Sequence, residues 1–151
     1  MITPKFLNAL GWCDPIEWAE EISKACERFD IKTNKRVALF IANTGHESNG
    51  GRVLRENLNY KPFALIAQWP RYFSAAYADE VGRTEQHPAD QKAIAEAAYN
   101  GRMGNKFPGD GWRFIGRGLM QTTGRYNYEK LAEVTQMPLD DIPEWLETKQ
   151  G

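Results

Sequence analysis

Long apolar runs are absent from this chain. No stretch approaches the roughly 20 consecutive apolar residues that a membrane-crossing helix needs, so a membrane span and a stable membrane association are not expected. Cysteine is scarce: Cys13 and Cys26 lie thirteen residues apart, with no further Cys or His at ligand spacing. That excludes the common zinc and dithiol redox motifs. The expectation is two small buried thiols in helices, with a disulfide between them as the alternative. An excess of one charge sign is missing as well, since 19 Lys and Arg stand against 20 Asp and Glu. Nothing electrostatic therefore draws the whole molecule toward nucleic acid, and no nucleic-acid partner is expected. Residues 1–10 carry Lys5 but no apolar signal core and no small-residue cleavage site, so no cleavable signal peptide is read there. Internal repeats, low-complexity segments and linkers are lacking too.

What remains is an ordinary globular composition, 42% hydrophobic and 26% charged over 151 residues. That suits one domain over residues 1–151 with a real apolar core. From 14 to 29 the apolar positions Ile16, Trp18, Ala19, Ile22, Ala25, Cys26 and Phe29 recur at three- and four-residue steps. The pattern predicts an amphipathic helix with Asp14 as N-cap and Pro15 at its first position. A second helix fits 34–46, capped by Asn34 and apolar nearly all round, which predicts a central, buried helix. Residues 50–60 read as loop and short extended structure with a small hairpin. Helices are expected at 62–68, 70–81 and 88–99. Residues 100–118 hold six of the thirteen glycines and read as loop. Helices follow at 125–134 and, shorter, at 138–145. The sum is mainly α.

Three segments carry chemistry. The first is Gly45-His46-Glu47-Ser48-Asn49-Gly50-Gly51. A carboxylate at the end of an apolar helix is an unusual place for a charge, and burial there would favour the protonated form that a general acid needs. The ordinary alternative is a glutamate exposed at a helix end. His46-Glu47 also invites a zinc-protease reading, but the second histidine position of His-Glu-x-x-His is Gly50, and no metal site is expected.

The second segment holds Glu56, nine residues after Glu47 and beyond a double-glycine turn. Hydrolysis of a glycosidic bond wants such a pair, one carboxyl for the leaving oxygen and one for water. Arg52 and Arg55 stand near enough to orient the pair; solvated salt bridges are the ordinary alternative. The third runs from Gly109 to Tyr128, where glycines, arginines, aromatics, amides and hydroxyls crowd together. Glycine permits close backbone approach, and aromatics with amides suit a sugar's apolar face and hydroxyl rim. No strand–Gly-x-Gly-x-x-Gly–helix order and no Gly-Lys-Ser/Thr is present, which argues against nucleotide binding.

Taken together, these segments resemble the chitinase-type glycoside hydrolase family 19, in particular its bacteriophage and prophage endolysin branch. The resemblance is carried by Gly45-His46-Glu47-Ser48, Glu56-Asn57-Leu58-Asn59-Tyr60, residues 99–105 and residues 109–128, and is most specific at Arg117-Gly118-Leu119-Met120-Gln121. It implies a lysozyme-like, two-lobed helical fold with a small hairpin or loop region. It implies Glu47 as general acid, Glu56 as the base that activates water, and Thr123 at the position of a hydroxyl that helps hold that water. His46, Tyr60, Arg117, Gln121, Tyr126 and Asn127 fall on implied substrate-binding positions.

The implied mechanism is single displacement with inversion and needs no cofactor. Family members continue past the segment 139–151 with further helices, so the resemblance also implies a second lobe left incomplete at the C-terminus. The expected partner is peptidoglycan or a chitin-like polysaccharide, met by a monomer. Peptidoglycan is favoured because 54–60 resembles the endolysin branch and the multiple disulfides of secreted plant chitinases are lacking. The expected location is the host bacterial cytoplasm until release to the cell wall. Lytic transglycosylation stays open, and the reading from another class is a non-catalytic glycan-binding fragment.

Overall fold

A computed structural model describes residues 2–151. It is mainly helical, as a lysozyme-like fold requires. The elements are α1 (Pro4–Ala9), α2 (Pro15–Arg28), α3 (Asn34–Glu47), α4 (Pro62–Gln68), α5 (Ala75–Val81), α6 (Gln91–Tyr99), α7 (Asp110–Arg113), α8 (Arg125–Thr135), a 3-10 turn (Leu139–Asp141) and α9 (Ile142–Trp145). Among the described residues no sheet forms; of the expected hairpin or loop region the loop is found, with an isolated antiparallel bridge between Arg55 and Arg117. No helix among them is long and apolar enough to cross a membrane.

Helix boundaries follow from who supplies the first turn's acceptor. Thr3 caps α1 through its Oγ1, with Pro4 next, a start signal that the reading of residues 1–10 passed over. Thr33, not Asn34, caps α3 by accepting from Arg36 N at 3.3 Å. Asp14 precedes α2 but does not cap it, because its backbone is left-handed (φ 39°) where a cap is usually extended. Its carboxylate binds Lys149 Nζ at 2.8 Å instead, which holds it below the usual carboxylate range. Ser74 and Asp90 cap α5 and α6, so both begin later than the apolar periodicity suggested. The glycine-rich loop contains the short α7.

The chain divides into two compact units, each assembled from separated segments. The first comprises 1–55, 117–121 and 141–151. Its core joins Leu7, Trp12, Trp18, Ile22, Cys26 and Ile41, with Trp12 edge-on to Trp18 at 5.7 Å. Both cysteines are free thiols; Cys26 is buried, which pushes its pKa up, and Cys13 is half-buried. Helix α3 is not the central helix its composition predicts. Ile41 and Thr44 are its buried residues, and Leu39 is 61% exposed. A helix apolar all round still turns one stripe inward when only one side of it meets a core.

The second unit comprises 56–116 and 122–140. Leu58, Leu65, Phe73, Ala78, Ile94, Ala98 and Ile115 form its core. The glycine-rich loop is fixed here by three buried or half-buried polar side chains. Asp110 accepts from Lys106 N and Phe107 N and takes Arg125 in a two-pronged grip, Nε at 2.8 Å and Nη2 at 2.6 Å. Asn105, fully buried, donates to Tyr99 O at 3.0 Å and accepts from Arg125 N at 2.8 Å. Glu96 accepts from Gly109 N and from Trp112 N. The Arg125 guanidinium beside Asp110 holds that carboxyl below its ordinary value of 3.8, against an opposing effect of burial.

Asp110→Asn should therefore destabilise the fold by about 3 kcal/mol near neutral pH, the scale for breaking a buried charge pair. A folded-state pKa lower than the unfolded one contributes stability above the unfolded value and loses it as pH falls through the folded value. The gap between wild type and variant should thus be full at pH 7 and shrink below pH 3.8. Urea titrations at pH 7 and below 3.8 read both effects.

Candidate active site

In the first unit, Glu47 closes α3. The helix stops because Asn49, Gly50 and Gly51 all take left-handed backbone, with φ of 51°, 64° and 76°. Ser48, fully buried, locks that turn by accepting from Gly51 N at 2.8 Å and donating to Thr44 O at 2.6 Å. The expected burial of Glu47 is not found: the residue is exposed, and its carboxylate has no hydrogen-bond or ion-pair partner among the described residues. A helix end that turns away through two glycines leaves nothing beside Glu47 to cover it.

His46 is exposed on the rim of a groove of about 440 Å³, whose wall includes Phe6, Leu10, Trp12 and Gly45. At 3.6 residues per turn, Glu47 projects from roughly the opposite side of α3 to Gly45. Arg52 orients neither glutamate; it holds the carbonyls of Gly11 and Asn49. Arg117 is buried, with Nε donating to Glu147 at 2.6 Å, and Arg55 reaches the same carboxylate at 3.7 Å. Gln121 sits at φ 50°, a left-handed conformation uncommon outside glycine and worth notice at a candidate site, and its Nε2 donates to Gly118 O at 3.1 Å.

The second unit holds Glu56, Tyr60, Thr123, Tyr126 and Asn127. Glu56 is half-buried and gripped at both oxygens. Tyr99 Oη donates to Oε1 at 2.5 Å, and Gly116 N donates to Oε2 at 3.2 Å. The main chain adds Glu56 N donating to Gly116 O at 2.8 Å. Behind the grip stands an aromatic chain: Tyr60 lies edge-on to Trp69 at 5.5 Å, and Trp69 edge-on to Tyr99 at 6.1 Å. Thr123 is half-buried, and its carbonyl accepts from Asn127 Nδ2 at 2.8 Å. Tyr126 is exposed, with Lys130 Nζ 4.6 Å from its ring centre.

The two carboxylates thus differ in kind. One is exposed and unpaired, while the other is held by two donors, one on each oxygen. A proton-taking carboxylate needs the second arrangement, because its orientation decides whether it meets its proton. Among the described residues, no three His, Cys, Asp or Glu side chains gather as a metal site would require. Sequence reasoning missed Tyr99 and Gly116. The available signal was general: a tyrosine buried at a helix end must find a partner for its hydroxyl.

No family model matches the chain. Among curated proteins, a glycosyl hydrolase family 19 domain-containing protein of Haemophilus influenzae is 36% identical to it over 111 residues, which cover 72% of this chain and 53% of the relative. The chain therefore spans about half the length of the curated relative it matches. The similarity supports membership of glycosyl hydrolase family 19.

The turn behind Glu47 makes a sharp stability test. A Cβ on Gly51 would lie 2.4 Å from Trp18 Nε1, in a left-handed conformation, whereas one on Gly11 (φ 79°) would meet nothing within 4 Å. Gly11→Ala should cost about 1 kcal/mol, the backbone cost alone. Gly51→Ala should cost about 3 kcal/mol, since overpacking adds to it. Denaturant midpoints of the two variants measure the difference.

Proposed function

We propose that this chain is a family 19 glycoside hydrolase of the endolysin type, cutting glycosidic bonds of peptidoglycan by acid/base catalysis without a cofactor. The observation that carries the reading is the grip on Glu56 by Tyr99 and Gly116, in a chain 36% identical over 111 residues to a protein named for that family's domain. Glu47 is the proton donor. That role rests on the resemblance of Gly45-His46-Glu47-Ser48 to the family and not on burial, since Glu47 is exposed.

In the proposed reaction Glu47 gives its proton to the leaving sugar oxygen. Glu56 takes a proton from water, whose oxygen attacks the anomeric carbon from the opposite face with inversion. Thr123 helps hold that water. His46, Tyr60, Gln121, Tyr126 and Asn127 contact the glycan, the aromatic rings meeting sugar faces and the amides meeting hydroxyls. Arg117, the remaining residue at an implied substrate-binding position, is buried with its Nε on Glu147. The enzyme works as a monomer on the cell wall after release from the cytoplasm. Peptidoglycan is preferred to chitin on the resemblance of 54–60 to the endolysin branch.

Glu47→Gln should lower the rate at which the protein clears outer-membrane-permeabilised Gram-negative cells by about 10²–10⁴-fold, the usual contribution of a positioned acid. Its thermal midpoint should stay close to that of wild type. Glu56→Gln should do nearly the same. A fully active Glu47→Gln protein would sink the assignment. Wild-type protein that solubilises chitin but not sacculi would move the substrate, and co-sedimentation with sacculi without clearing would make the chain a glycan-binding module.

A further inference from the structure

Two buried tyrosine hydroxyls of the second unit are satisfied in different ways. Tyr128 donates to a backbone carbonyl, Ile115 O, at 2.7 Å, the ordinary solution for a core tyrosine. Tyr99 donates instead to the side chain of Glu56 at 2.5 Å. Holding a carboxylate half out of water is costly unless it is hydrogen-bonded, so packing alone does not favour that choice.

We infer that Tyr99 is a positioning residue for the base, its phenolic O–H setting the direction in which the Glu56 carboxylate meets the attacking water. This deepens the glycosidase reading and rests on it. With Tyr99 on Oε1 and Gly116 N on Oε2, the carboxylate cannot rotate without losing a donor. Each carboxylate oxygen has two lone pairs, so one remains on each for water. Tyr99 is itself packed in place: it is 9% exposed, edge-on to Trp69, and its carbonyl accepts from the fully buried Asn105. Burial first, and Glu56 second, push the phenol far above the usual tyrosine range, so it stays a donor at every working pH.

The step balances. Water's O–H bond breaks, with the proton going to Glu56 and the oxygen bonding to the anomeric carbon. The bond from that carbon to the leaving oxygen breaks, and that oxygen takes the proton of Glu47. Exchange with solvent then restores both carboxyl groups.

The test uses Tyr99→Phe, which keeps the ring and removes the donor. The substrate is whichever the wild type cleaves, amidase-released peptidoglycan strands or chitohexaose. A general base contributes about 10²–10⁴-fold, and losing its orientation should forfeit part of that. The expected result is a kcat about 10–100-fold lower and KM within about twofold of wild type, the pattern of an interaction made only in the transition state. In a Glu56→Asp background, where the carboxylate is drawn back from the phenol, Tyr99→Phe should change kcat by less than about twofold, as coupled residues do.

A Tyr99→Phe enzyme with wild-type kcat, beside an inactive Glu56→Gln, would overturn the inference and leave the glycosidase reading standing. An equal loss in both backgrounds would also overturn it, because that loss would not pass through Glu56. An active Glu56→Gln enzyme, or wild-type protein that cleaves neither substrate, would overturn reading and inference together.

Discussion

Two hydrogen bonds on one carboxylate organise the second unit of this molecule. Glu56 offers an acceptor at each oxygen, and the groups that fill them come from far along the chain, a tyrosine that ends α6 and a backbone N–H of the glycine-rich loop. Neither donor would stand where it does without further support. Tyr99 depends on Asn105 and Trp69. The loop holding Gly116 depends on Glu96 and on the Asp110–Arg125 pair. A segment rich in glycine loses more conformational freedom on folding than any other, so it needs this density of polar anchors to stay in one shape. The stability of the loop and the orientation of the carboxylate are thereby the same physical problem.

The first unit solves a different one. Its carboxylate, Glu47, is exposed, and the chain turns away after α3 through three successive left-handed positions, Asn49, Gly50 and Gly51. Gly51 is packed so closely on Trp18 that even a methyl group would collide. The indole N–H of Trp18 has no partner among the described residues, a cost accepted where ring and glycine are pressed together. The turn is bound from within by Ser48 and from outside by Arg52.

Much of this was legible beforehand. The helices at 62–68 and 125–134 were read almost to the residue, because Pro62 and the Gly124–Arg125 junction punctuate them and their periodicity is unbroken. Asp14 misled because the side chain suits a cap while the backbone at that residue does not; local chemistry could not foresee the contact with Lys149, 135 residues away. The apolar circumference of α3 predicted burial on all sides, and the true depth of a helix is set by neighbours that periodicity does not name. Glu47 and Glu56 were singled out from residue type, spacing and resemblance. Tyr99 was not, since its role rests on a contact 43 residues distant. The loop anchors Asn105 and Asp110 were equally silent, being ordinary residues until the fold gives them Arg125.

The proposed activity adds water across a glycosidic bond. The direct measurement is digestion of purified sacculi in ¹⁸O-labelled water, with mass spectrometry of the fragments released. One ¹⁸O atom at the reducing-end sugar of each new fragment is the predicted result. Fragments ending in an unlabelled anhydro sugar, label confined to peptide carboxyl groups, or no fragments at all would contradict it.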